Sequence, residues 1–530
     1  MTIDTFTPDE AAALAPYFTN LDRPIFALVN LPETVKGALF ARYSRSAKSL
    51  RRLFLDEFLD RSASGAAAIT STAGASRAER LYEKVFNEYG DDSVAQLGGA
   101  HLAVEDASNV LTKVLERGRL MAYLEQSTRY IPYTDRTGGA WRYLVPAELD
   151  GHPLRASFLE TLDLAFETYA KWIDPMRAWF ERRYPKSPTD SEAVHRSAIR
   201  AKALDTLRGL LPAATQSNVG MYGTGQAYEA LLLRMRAHPL CEVQAAADAI
   251  LAELREVIPA FLTRVDHPAR GGRWSAYFAD TRRRVADVAA GLSAETRFEP
   301  RPEVALTDFD PDGEAKVVAA CLYASTNLPD DTLLARARRL SEAERAAVIR
   351  AYVGERTNRR HRPGRAFERT SYRFDVLTDY GAFRDLQRHR LLTIDWQPLT
   401  SEHGYVQPEA IVEAGAEADW RAVMDRSAGM AEMLTSAALA AVAPYAVAMA
   451  YRIRFAMEMN AREAMHVIEL RTAPQGHPAY RRVCQQMHTL IAEVAGHRAI
   501  AAAMRFADHS AVELERLGEE RRIDERRQAR

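Results

Sequence analysis

The order of features in this 530-residue chain runs through twice, and an internal duplication restricts the possible folds more than any local pattern does. Near the start of each half a tyrosine is followed by a basic run: Ala41 opens "ARYSRSAKSLRR" and Arg350 opens "RAYVGERTNRR". Each half then carries an apolar segment that ends in a cationic triplet. In the first, Ala107, Val110, Leu111, Val114 and Leu115 keep helical spacing up to Arg117-Gly118-Arg119, where the glycine tends to end a helix. In the second, "YGAFRDLQRHR" ends in Arg388-His389-Arg390. Farther on, each half has a proline-containing segment and then a helix closed by arginine, "LLPAATQSNVGMYGTGQAYEALLLRMRAH" and "AVAPYAVAMAYRIRFAMEMNAREAMHVIELRTAPQGH". Between the halves, "SAETRFEPRPEVALTDFDPDGE" from Ser293 to Glu314 is acidic, aperiodic and proline-containing, and reads as a connection. The expected organisation is two tandem repeats, residues 1–295 and 296–530.

Such a length needs more than one hydrophobic core. Hydrophobic residues at 47% and charged residues at 27% suit a folded chain. With 70 basic against 71 acidic side chains, bulk charge gives no reason to expect nucleic acid or an anionic membrane as partner. Cys241, Cys321 and Cys484 are far apart and form no Cys-x-x-Cys pair, so a disulfide framework or thiolate metal site is not expected, and a reducing cytoplasm fits. The opening "MTIDTFTPDE" lacks the basic and apolar regions of a secretory signal. Met433 to Tyr451 approaches membrane length, but it is Ala-rich, contains Pro444 and is flanked by charged sequence; a buried core helix is expected there.

The two cationic triplets differ in what they keep. Seven residues after Arg117-Gly118-Arg119 stands Ser127, within "YLEQSTRY", followed by Arg129. Seven residues after Arg388-His389-Arg390 stands Pro398. The second half thus holds Arg-His-Arg without the serine, and the first holds Glu125, Ser127 and Arg129 without the histidine. Arg-His-Arg, seven residues, then serine in an "NEQSxRY"-like string resembles the signature of flavin-dependent thymidylate synthases. "NAREAMHVIELR" is similar to that family's late Asn-x-Arg helix ending in Leu-Arg.

That resemblance implies an α+β fold made of two tandem copies of a mixed sheet-and-helix domain that binds FAD. It implies one-carbon transfer from methylenetetrahydrofolate to C5 of dUMP or a related pyrimidine nucleotide, with NADPH reducing the flavin. Family members are homotetramers with shared active sites, so a homodimer of this chain would form a pseudo-tetramer. By motif position, Arg388, His389, Arg390, Asn460 and Arg462 would face the flavin. Glu125, Ser127, Arg129, Arg208, Arg234 and Arg471 would face the nucleotide, completing a hybrid site from both halves. Arginine forks bind phosphate bidentately at any relevant pH, and a cation beside the reduced flavin would stabilise its anionic ring. No residue is assigned as a covalent catalyst.

The departures are distributed. Gly118 stands at the motif histidine, Pro398 and Thr400 at the second-half serine and arginine, and Asn460 and Arg462 lack counterparts in "GTGQAY". The upstream His-x-Ser-x-x-Glu-His segment survives only as "GDDSVAQL" from Gly90. The alternative is a non-catalytic duplicate that binds a nucleotide or another partner. Losses on opposite halves favour a retained hybrid site, whereas drift would remove groups indiscriminately.

Plainer roles compete at single residues. A basic triplet at a helix end is often a solvated cap, Ser127 suits a turn, and Arg129 could pair with Glu125 one helical turn away. Glu463 and His466 have a carboxylate-metal spacing, but such sites need a second copy, and no metal is expected. Arg42, Arg45, Lys48, Arg51 and Arg52 could meet a nucleotide or pair with Asp56 and Glu57. The closing "ERLGEERRIDERRQAR" reads as a charged, exposed helix with a frayed end.

Overall fold

The computed structural model describes residues 5–23, 26–43, 48–59, 96–127, 129, 131–293 and 301–529. The chain divides into two compact units that do not follow chain order. Unit 1 is drawn from Met1–Glu105, Gly118–Glu125 and Asn218–Thr296, and unit 2 from Asp106–Arg117, Gln126–Ser217 and Arg297–Arg530. A large part of the first repeat therefore folds together with the second.

Among the described residues nine strands occur: β1 (Gly99–Ser108), β2 (Met121–Glu125), β3 (Arg136–Thr137), β4 (Ala140–Trp141), β5 (Gln216–Thr224), β6 (Val304–Phe309), β7 (Ser371–Asp379), β8 (Thr393–Trp396) and β9 (Arg452–Asn460). One sheet has the order β1-β5-β2, another β6-β7-β9-β8, and β3 with β4 forms a small hairpin. The four-stranded sheet is antiparallel, and β7 and β9 pair without a slip from Ser371↔Asn460 to Asp379↔Arg452. Alternation fixes that register: Tyr372, Phe374 and Val376 on β7 and Ile453, Phe455, Met457 and Met459 on β9 are buried. A one-residue slip would turn every one of them outward.

Each long strand runs directly into a helix through a side-chain cap, and this is the repeat in structural form. Ser108 caps Asn109–Leu115, Thr224 caps Gly225–Arg236, Asp379 caps Tyr380–Leu386 and Asn460 caps Ala461–Arg471. In each case the side-chain oxygen accepts a backbone N–H of the first turn, a contact worth about 1 kcal/mol. Ala107, expected in the helix, therefore lies in β1, because Ser108 both ends the strand and caps the helix.

The two proline-containing segments meet each other within unit 2. Ala213 N–H donates to Val447 O at 2.9 Å, Met449 N–H to Leu211 O at 2.9 Å and Ala450 N–H to Gly209 O at 3.0 Å. Equivalent pieces of the two repeats thus form one reciprocal backbone contact in the core. Around it pack the helices Arg155–Arg183, Glu192–Leu207 and Glu417–Ser436.

Two expectations are corrected. Met433 to Tyr451 is not one helix: the helix ends at Ser436, Ala438 adopts a left-handed φ of 60°, and Pro444 starts a short 3-10 turn. Val442 to Tyr451 nevertheless lies almost wholly in the core, and no described helix is long and apolar enough to cross a membrane. Part of the connection is structured, because "VALTDF" becomes β6; residues 294–300 lie outside the described ones. The C-terminal helix Leu517–Gln528 buries none of its residues yet is anchored: Arg521 pairs with the buried Asp190, and Glu515, just before it, with Lys202 at 2.6 Å.

In unit 1 the early basic run is largely neutralised internally. Arg42 pairs with Glu57 at 3.0 Å, Lys48 with Asp56 at 3.0 Å and Arg52 with Glu10 at 2.8 Å, while Arg45 lies outside the described residues.

Candidate functional site

Unit 2 brings residues of both repeats to one carboxylate. Asp385 lies in the last turn of Tyr380–Leu386, the helix that Asp379 starts. Arg388 Nη2 is 2.6 Å from Asp385 Oδ1, Arg471 Nη1 is 3.6 Å from the same oxygen, and Arg208 Nη1 is 3.8 Å from Oδ2. Arg471 also donates to the backbone oxygen of Asp385 and, through Nε, to His389 Nε2 at 2.9 Å. Arg208 comes from the first repeat, Arg388 and Arg471 from the second.

Beside this hub Arg129 makes a two-pronged pair with the buried Asp205, Nε–Oδ1 2.8 Å and Nη2–Oδ2 2.6 Å. Its Nη1 reaches the Tyr480 hydroxyl and Gln475 O, each at 3.3 Å. Burial alone would raise the Asp385 carboxyl, but Arg388, Arg471, Arg208 and Arg129 outweigh it and hold it far below the ordinary range. Asp205 is likewise held low, with Arg129 overcoming the cost of burial. Four guanidinium groups thus face two ionised carboxylates. The nearby histidines add no positive charge. Burial and the adjacent Arg471 push His389 well down, and burial with Arg208 brings His477 to about 3.

A cavity of about 570 Å³ lies beside the cluster, with Asp205, Arg208, Asp379, Trp420, His477 and Tyr184 in its wall. Arg208 Nη2, Asp379 Oδ2 and Trp420 Nε1 are buried with no hydrogen-bond partner among the described residues. Polar atoms left this way are rare in folded chains and mark places where a ligand or water completes the pairing.

The other sequence-derived candidates fall in different places. Ser127 Oγ accepts the Arg129 backbone N–H at 3.2 Å, a local turn contact. Glu125, at the end of β2, and Arg234, in Gly225–Arg236, belong to unit 1. Arg129 pairs with Asp205 rather than Glu125. Of the residues assigned to the flavin, Arg390 is exposed and Arg388 half-buried. His389 is buried under Arg471, Asn460 Oδ1 is taken by Glu463 N–H, and Arg462 donates to Pro363 O at 3.0 Å and Glu368 at 3.3 Å. Four of the five side chains, Arg388, His389, Asn460 and Arg462, already have protein partners.

His389, Glu463 and His466 bring three possible metal donors within 4.8 Å of one another. The hydrogen bonds oppose that use. A guanidinium only donates, so Arg471 fixes His389 Nε2 as the acceptor and puts the ring proton on Nδ1, 3.7 Å from Glu463 Oε1. Arg362 Nη2 occupies His466 Nδ1 at 2.8 Å in the same way. Burial lifts Glu463 to about 7 and lowers His466 to about 4.

Asp205, Asp385, Tyr480 and His477 were not singled out in the sequence. A signal was there: "DTLR" and "DLQR" each place an aspartate three residues before an arginine, Arg208 in one repeat and Arg388 in the other.

The family model for thymidylate synthase complementing protein (Thy1) matches residues 40–260 and 305–496. The chain belongs to the Thy1 family. The two Thy1 matches fall one in each half, which makes the architecture a tandem pair of mixed helix-and-sheet domains. Over 98% of both chains the protein is 37% identical to a UPF0159 protein of Chlamydia muridarum. It is 26% identical over 177 residues to a flavin-dependent thymidylate synthase of Clostridium tetani, a match covering 32% of this chain and 64% of that one. Among solved structures, a UMP/dUMP methylase PolB from Streptomyces cacaoi bound with 5-Br dUMP matches at 20% identity and a TM-score of 0.31, over 39% of this chain and 96% of that one.

Proposed function

We propose that the arginine cluster of unit 2 binds a pyrimidine nucleoside monophosphate, dUMP or a relative, and that the chain carries out thymidylate synthase-like one-carbon transfer to it. The observation that carries this reading is the convergence of Arg129 and Arg208 from one repeat with Arg388 and Arg471 from the other around Asp385 and Asp205. The converging guanidinium forks suit a phosphomonoester, which carries about −1.5 to −2 at neutral pH. Asp205 and Asp385 hold the guanidinium planes in place before the ligand arrives, which reduces the ordering cost of binding. Membership of the Thy1 family and the likeness to a flavin-dependent thymidylate synthase support that reaction class; FAD, NADPH and methylenetetrahydrofolate as its partners, a reducing cytoplasm as its setting and a homodimer as its assembly belong to the same proposal.

A second reading has its own support. His389, Asn460 and Arg462 are tied to protein partners, which favours a duplicate that keeps the nucleotide site without flavin chemistry. One pair of measurements separates the two. Titration of the purified chain with dUMP should give saturable binding that Arg208→Lys weakens about tenfold, because lysine keeps the charge and loses the fork. Absence of dUMP binding would sink both readings. Flavin absorption retained after FAD addition and gel filtration then selects the enzyme, and its absence selects the nucleotide-binding duplicate.

A further inference from the structure

Unit 2 holds a second arginine-lined recess, apart from the cluster around Asp385. It is a groove of about 670 Å³, within the size range of small-ligand sites. Arg359 lines it from the loop after the helix Glu342–Val353, Arg505 from the segment before the C-terminal helix, and Arg522 from that helix itself. Arg359 is half-buried and the other two are exposed. None of the three has a carboxylate partner among the described residues. Arginines close to them in the chain do, since Arg365 pairs with Glu368 and Arg521 with Asp190. The two acidic residues of the wall are matched from outside it. Glu469 holds Arg356 through both oxygens at 2.6 Å, and Asp508 accepts from Arg481 at 3.4 Å. Phe506, also in the wall, has its ring centre 5.6 Å from the Arg505 guanidinium.

The same wall reaches the arginine cluster. Gln475, which lines the groove, gives its backbone oxygen to Arg129 Nη1 at 3.3 Å, and Asp508 N–H donates to Thr472 Oγ1 at 2.9 Å. We infer that the groove binds a triphosphate group, carried by a nucleotide or as an inorganic chain, and that the bound anion steadies the 472–480 segment against Arg129. A cleft lined by charges of one sign concentrates its counter-ions. Guanidinium forks take phosphate oxygens in pairs and keep their charge at any relevant pH. Three forks in one recess match three linked phosphates, whereas a phosphomonoester would leave two of them without an acceptor. The site is separate from the one that the sequence motif assigns to flavin, because Arg388, His389, Arg390, Asn460 and Arg462 do not line the groove.

The test is calorimetric titration of the full chain with inorganic tripolyphosphate, without dUMP, at about 0.15 M salt so that diffuse surface attraction is screened. One saturable site per chain is expected. Arg359→Gln with Arg505→Gln should weaken it about tenfold for each lost fork and leave the circular dichroism unchanged, since neither side chain has an ion pair to lose. Arg208→Lys, in the cluster, should leave it within about twofold, because sites without shared partners act independently. Hydrogen exchange should slow in residues 472–480 and 504–510 when tripolyphosphate is added. ATP serves as a second probe: tighter binding than tripolyphosphate assigns the groove to a nucleotide, and equal binding to the phosphate chain alone. No saturable binding, or equal binding of sulfate at the same ionic strength, overturns the site. So does binding that survives both glutamines and is lost with Arg208→Lys, protection confined to other segments, or displacement of tripolyphosphate by FAD.

Discussion

Arg129 and Arg471, one from each repeat, stand against the same side chain. Arg129 Nη1 donates to the Tyr480 hydroxyl at 3.3 Å, and the Arg471 guanidinium lies 5.3 Å from the centre of the Tyr480 ring. Tyr480 is buried, so it fixes the separation of two cations that lie far apart in sequence. The arginine cluster is therefore a property of the folded unit 2 and not of either repeat.

Removing Arg129 tests how much of that arrangement rests on one ion pair. Asp205 is buried, and Arg129→Ala would leave it ionised with no bidentate partner. Breaking such a pair from one side costs about 3–5 kcal/mol. Urea unfolding should show a loss of that order for Arg129→Ala, and Asp205→Asn added to it should recover a substantial part. Equal losses in the single and double variants would mean that the pair contributes little.

Asp385 poses the reverse case, one carboxylate shared by three arginines. Asp385→Asn keeps the shape and leaves Arg388, Arg471 and Arg208 facing each other without their common counter-charge. A destabilisation of about 3 kcal/mol or more is expected. Added inorganic phosphate should then raise the melting temperature more for the variant than for the wild type, because an anion can replace the lost charge. An equal rise in both proteins would show that phosphate does not reach the cluster.

The duplication was legible because it rests on order, and order survives when identity fades. Arg129, Arg208, Arg388 and Arg471 were found because they fall on motif positions of the family that the sequence resembles. Their counter-ions were not, since "DTLR" and "DLQR" look like ordinary helical pairs, and only the fold shows that Arg208 reaches Asp385 while Arg129 takes Asp205. Placing Glu125 and Arg234 in unit 1 was beyond a one-dimensional reading for the same reason: units that exchange segments ignore chain order. The late apolar stretch was misread as one helix because composition reports burial well and conformation poorly. Ala438 in the left-handed region is a local choice that no hydrophobic pattern announces.

Glu463 gives the pH dependence a sign. Burial raises its carboxyl from the ordinary 4.5 to about 7, against the opposing pull of Arg362 and Arg462. A carboxyl whose folded value lies above its unfolded value contributes stability that is fully present below about pH 4.5 and is lost as pH rises through about 7. A shift of this size corresponds to something on the order of 3 kcal/mol between the two limits. Glu463→Gln cannot ionise, so it should match the wild type near pH 4.5 and exceed it in stability by up to that amount at pH 8. His389 and His466 face the same carboxyl but stay neutral through this window in the folded state, since burial and neighbouring arginines lower both. Their unfolded titration is common to the two proteins, so it cancels in the difference. Denaturant unfolding at pH 4.5, 6 and 8 gives the difference curve directly. A curve that rises with pH supports an uncharged Glu463 beside two neutral imidazoles, and a flat one would mean that the carboxyl is ionised throughout.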